Sequence, residues 1–111
     1  MNGENTGMIE YNVDFKTKSW ESPLHGVRFK KYVSAGKQVR LVEYTKDFME
    51  PDWCLKGHTG YVIEGEIEID FNGNIISYKA GDVIFIPAGE ESKHKAKILS
   101  ATAKVFLVED V

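Results

Sequence analysis

The sequence predicts an all-β fold, a sandwich or barrel of short strands, on three observations. Short apolar runs recur along the chain, each broken by Gly, Pro, Asn or Asp. Helical patterning is scarce, with few windows carrying apolar residues at i, i+3, i+4 and i+7 over the roughly eleven positions a helix needs. The 111 residues suffice for one core and not for two, so the strands must close on one another.

Residues 1–7 are polar and glycine-bearing, with neither a basic nor an apolar stretch. They read as a flexible leader, not a signal peptide, ahead of one domain over 8–111. Strands are expected at 27–34, 38–45, 59–65, 66–71, 75–78, 83–86, 93–98 and 102–108. Ser34-Ala35-Gly36-Lys37 and Asn72-Gly73-Asn74 supply tight turns, because Asn and Gly tolerate positive φ. In Glu66-Ile67-Glu68-Ile69-Asp70-Phe71 acids alternate with apolar residues, which turns Ile67, Ile69 and Phe71 inward. In the stretch from Ser92 to Ile98 three lysines take one face, so Ser92, His94, Ala96 and Ile98 share the inner one. That parity puts His94 inside the protein.

Composition narrows the partners. Fourteen Lys+Arg against seventeen Asp+Glu give a net charge of -3, which opposes nucleic-acid binding through a concentrated basic face. The longest apolar runs are of the length of Val83-Ile84-Phe85-Ile86, so no transmembrane helix is expected and the cytoplasm is the default location. Cys54 is the single cysteine, so no internal disulfide framework holds the fold.

Two segments carry a family resemblance. Gly81-Asp82-Val83-Ile84-Phe85-Ile86-Pro87-Ala88-Gly89 matches the G-D-x-x-x-x-P-x-G core of the second cupin motif position for position. Tyr61-Val62-Ile63-Glu64-Gly65-Glu66 resembles the Y-V-L-x-G-E segment of the first. Physically, Gly81 and Asp82 turn the chain into a buried strand, Pro87 ends its pairing for want of an N–H, and Gly89 permits the next bend. The chain thus resembles a small single-domain cupin. The resemblance implies a cupin-type double-stranded β-helix (jelly-roll) barrel, with any site inside the barrel or at a dimer seam.

The family's ligand positions are where the sequence departs. Alignment on Gly65 puts His58 at the usual glutamate, Cys54 at the second histidine and Asp52 at the first. In the second motif the histidine position holds Ser92, with His94 two residues further on the same face. Asp52, Cys54 and His58 have even spacing, so an unbroken strand would put them on one face, and His94 could join them from a neighbouring strand. Lys56 shares that parity and opposes a cation there, while Gly57 and Gly60 bracket His58 and could break the strand.

Each residue also has a structural reading. Cys54, between Trp53 and Leu55, is either a ligand or a small buried hydrophobe. His58 and His94 are either pocket residues or hydrogen-bonded core histidines. Trp20, Phe29, Tyr32, Tyr44 and Trp53 read as core or dimer contacts, and Lys93, Lys95 and Lys97 as a solvated face whose pairs with Glu64, Glu66 and Glu68 would contribute little.

Three functions follow as expectations. The first is a barrel that binds a small polar metabolite through His58, His94 and Ser92, with a divalent Fe, Mn, Ni or Zn ion held by Asp52, Cys54, His58 and His94. The second is a metal-dependent dioxygenase, isomerase or decarboxylase acting on a small acid. The third is a non-catalytic homodimeric module, in which residues 9–13 could add a strand to a partner.

Overall fold

Alternation of apolar and polar residues builds nine antiparallel strands among the described residues, 8–111, of this computed structural model; the leader read over 1–7 lies outside them. They are β1 (Glu21–Leu24), β2 (Val27–Ser34), β3 (Lys37–Thr45), β4 (His58–Glu64), β5 (Glu66–Asp70), β6 (Ile75–Lys79), β7 (Val83–Ile86), β8 (Lys95–Ile98) and β9 (Thr102–Asp110). A six-stranded sheet runs β1-β2-β3-β9-β4-β7, and a three-stranded sheet runs β6-β5-β8. The strand order places chain-distant β3 and β9 side by side over their whole length, from Lys37 opposite Asp110 to Thr45 opposite Thr102.

The core lies between the sheets. Val42, Val62, Ile84, Val105 and Leu107 from the large sheet meet Ile67, Ile69 and Ile98 from the small one, all buried. Ile67 and Ile69 follow the alternation read from the sequence, with Phe71 packed partly against the same core. The expected turn forms at Asn72 (φ 63°) and Gly73 (φ 109°), where Asp70 Oδ1 accepts the Gly73 N–H at 2.7 Å. β7 stops at Ile86, immediately before Pro87.

Three expectations change. β1 was not anticipated, because Pro23 argues against a strand; it is tolerated here on a sheet edge, where one side of the strand needs no partner. β8 begins at Lys95 and not at 93, since Glu90–Ser92 winds into a short 3-10 turn. The unbroken strand over 52–58 does not form. That segment bends, and its backbone meets the stretch leading into β8 at the isolated bridge Cys54 to His94, with a second isolated bridge, Met49 to Lys97, just before it. Residues 9–13, read as able to add a strand to a partner, pair with no described strand of their own chain, and the Glu10 N–H donates to Tyr32 Oη at 2.9 Å. Among the described residues no helix is long and apolar enough to cross a membrane.

Candidate metal centre

The bend that breaks the 52–58 strand brings its side chains to His94. Cys54 and His94 exchange both backbone hydrogen bonds, Cys54 N–H to His94 O at 2.8 Å and His94 N–H to Cys54 O at 3.0 Å. The Gly89 N–H closes the same seam on Leu55 O at 2.9 Å. Gly57 then lets the chain pass against 86–88: a Cβ there would lie 2.9 Å from the Ala88 nitrogen. His58, the first residue of β4, consequently faces back toward Cys54, with Cys54 Sγ 3.6 Å from His58 Nε2.

One donor atom from each of Cys54, His58 and His94 lies within 4.8 Å of the others. The two imidazole rings stand nearly perpendicular, 82° apart with centroids 5.2 Å from each other. Each ring is held from behind through Nδ1. His58 Nδ1 donates to Glu109 Oε2 at 2.6 Å, and His94 Nδ1 donates to the Ser92 carbonyl at 2.9 Å. Protons fixed on both Nδ1 atoms make Nε2 the nitrogen that gives up its proton to bind an ion, the arrangement that supports histidines around metal ions.

Glu109 is anchored in turn. Its Oε1 accepts from Gln38 Nε2 (2.9 Å) and Arg40 Nε (2.7 Å), and its Oε2 from Arg40 Nη2 (2.7 Å). The forked guanidinium contact fixes the plane of the carboxylate. Register explains the geometry: Glu109 of β9 lies directly opposite Gln38 of β3, and Arg40, two residues further along β3, is its diagonal neighbour on the same face.

The charges follow. Hydrogen bonds from His58 and then His94 outweigh burial and bring the Cys54 thiol down to about 5. Burial alone would lower His58, but its bonds to Cys54 and Glu109 raise it to about 9. His94 is raised in the same way, against burial, by Cys54 and the Ser92 carbonyl. For Glu109 burial works upward, and the His58 and Arg40 contacts overcome it, leaving the carboxyl at about 2. Without an ion, therefore, the cluster is a thiolate beside protonated imidazole, already deprotonated at the sulfur that a metal requires.

The trio opens onto a cavity of about 350 Å³ between the sheets. Phe29, Val42, Phe48, Ile67, Ile84 and Leu107 supply apolar wall, and Tyr44, Glu50 and the exposed Lys56 supply polar groups. Burial raises the Glu50 carboxyl and pushes the Tyr44 phenol up to about 12. A separate groove of about 470 Å³ is lined by Arg28, Glu43, Glu64 and Lys104, whose charges are spent on one another in ion pairs of 2.8 to 3.6 Å.

Three of the residues singled out in the sequence thus come together: Cys54, His58 and buried His94. Asp52 does not join them; it is exposed and outside both the trio and the cavity lining, because the strand that would have carried it inward bends. Ser92 stands in the 3-10 turn and serves His94 through its backbone carbonyl, a role open to any residue there. Phe29 and Tyr44 are cavity wall as well as core neighbours. Lys93 and Lys95 lie over the Trp53 ring at 5.6 and 5.0 Å, and Lys93 pairs with Glu90, not with the acids of β5. Glu50, Arg40 and Glu109 were missed. Only Glu109 left a trace, as an acid at an inward-parity position of a strand otherwise alternating with Val105 and Leu107.

Two antiparallel sheets packed around one interior, with histidines converging on it, are the architecture of the cupin class of β-proteins. Residues 56–108 match the family model of the cupin domain, and the fold of the chain is that of the cupin double-stranded β-helix proteins. Its fold is similar to that of an RmlC-like cupin from Shewanella frigidimarina NCIMB 400, with a TM-score of 0.71 and 15% identity over 92% of this chain and 91% of that one. It is similar to KdgF from Halomonas sp., with a TM-score of 0.69 and 18% identity over 86% and 91%. The EutQ protein of Clostridium difficile is similar with a TM-score of 0.63 and 22% identity over 88% and 74%. No curated protein matches the sequence.

Proposed function

We propose that this protein binds a divalent transition metal through Cys54 Sγ, His58 Nε2 and His94 Nε2, and a small polar metabolite in the cavity beside it. The observation that carries the reading is that both histidines are pinned at Nδ1 by oxygen acceptors, with their other nitrogens turned to a cysteine whose proton is already weakly held. The donor chemistry fits. A thiolate and two imidazoles suit Zn, Fe(II), Co or Ni, whereas Mn prefers oxygen ligands and becomes the poorest of the ions first considered. Three protein donors leave a coordination position open toward the cavity, where a bound ion would supply a Lewis acid for a ligand oxygen. That open position is also what the metal-dependent-enzyme alternative requires.

The test is loading with Co(II), followed by absorption and elemental analysis. One ion per chain and a cobalt–thiolate charge-transfer band are expected. Cys54→Ser should abolish the band, and His58→Ala or His94→Ala should lower affinity by more than the ~10–100-fold that loss of a supporting partner costs. Asp52→Ala should change neither. Substoichiometric metal indifferent to all three ligand variants would refute the reading.

A further inference from the structure

We propose that the cavity's ligand is a small hydroxy carboxylate whose hydroxyl donates to Glu50; the inference rests on the metal reading and extends it to the ligand. Glu50 lines the same cavity as Cys54, His58 and His94 but stands outside their cluster. Its Oε1 accepts the Ala96 N–H at 2.9 Å, which fixes the side chain across the seam between the bent segment and β8. Its Oε2 makes no hydrogen bond among the described residues, and it is not among the fully buried atoms. Glu50 thus offers the largely apolar cavity it lines an acceptor oxygen with no protein partner among the described residues, open to water until a ligand donor takes its place.

Charge selects the rest of the ligand. Arg40 is committed to Glu109 by a bidentate contact, so the cations left for a ligand are Lys56 and the ion on the trio. Both favour an anionic oxygen, and a carboxylate is the small group that suits a Lewis-acidic ion. The same two cations repel an ammonium group, so the donor that meets Glu50 is best neutral. A carboxylate with a nearby hydroxyl satisfies both ends, whereas a plain carboxylate leaves Glu50 unmet.

Calorimetric titration of glycolate and acetate into the Co(II)-loaded protein at mildly alkaline pH tests this. A hydrogen bond to a charged acceptor corresponds to roughly ten- to a hundredfold in affinity, so glycolate should bind tighter than acetate by that factor. Glu50→Gln keeps an oxygen for the Ala96 N–H and places an N–H where the free acceptor was. The preference for glycolate over acetate should then fall by about tenfold or more, while the cobalt–thiolate band is retained and certifies an intact metal site. Equal binding of the two acids by the native protein, or a preference that survives Glu50→Gln, would overturn the inference alone. Absence of the cobalt–thiolate band would overturn the metal reading and this inference with it.

Discussion

Replacing Glu109 by alanine in the metal-free protein removes the one acceptor shared by three groups. Its side chain is 8% exposed and that of Arg40 18%, so the guanidinium would be left charged and largely shielded from water. Breaking a buried ion pair from one side costs about 3–5 kcal/mol, and the loss of acceptors for Gln38 Nε2 and His58 Nδ1 places the expectation toward the upper end. For a domain whose total stability is on the order of 5–15 kcal/mol, this is a large fraction. The effect must also depend on pH. Glu109 has its folded value at about 2, below the ordinary 4.5. Its contribution is therefore complete above pH 4.5 and disappears as pH falls toward 2. Urea unfolding of both proteins across that range, with the midpoint shift read at constant m, measures the difference. It should be about 3–5 kcal/mol at neutral pH and shrink through the acid range. A cost below about 1 kcal/mol, or one that stays constant with pH, would refute the network as drawn. Replacing Arg40 by Met together with Glu109 by Leu should recover much of the loss, since an apolar pair of similar volume leaves no stranded charge.

Two further expectations concern the thiol and the core. With its value at about 5, Cys54 in metal-free protein should react with iodoacetamide at nearly the same rate at pH 7 and pH 8, where an ordinary thiol accelerates by close to tenfold, and bound zinc should suppress the reaction. Ile98→Ala, at a side chain 1% exposed between the sheets, should lower stability by about 2–5 kcal/mol in chemical denaturation through the cavity it leaves.

What could be read from the residues alone was local. His94 was legible because strand parity is a rule of period two that needs no partner, and the Gly81-to-Gly89 motif carries its own turn and stop. Asp52 was misplaced by the same rule, since parity holds only while a strand continues, and the chain bends between Cys54 and His58 to pass the backbone at Ala88. Glu109, Arg40 and Glu50 were invisible for a different reason. Glu109 reaches His58 across a sequence separation of 51 residues and Arg40 across 69, distances over which a single sequence records no pairing. Their roles depend on which strands become neighbours, and β3 meets β9 only once the six-stranded sheet has assembled.

The reciprocal main-chain bonds between Cys54 and His94 have a consequence for change at this site. Two of the three donors project from a clasp made of backbone amides, which every residue but proline possesses. The clasp fixes where the side chains begin without fixing what they are. Sulfur, imidazole or carboxylate could be exchanged at either position with the frame left standing, so the preference for an ion can drift while the socket persists. A barrel built this way can lose one set of ligands and adopt another by single substitutions, without first unlearning its fold.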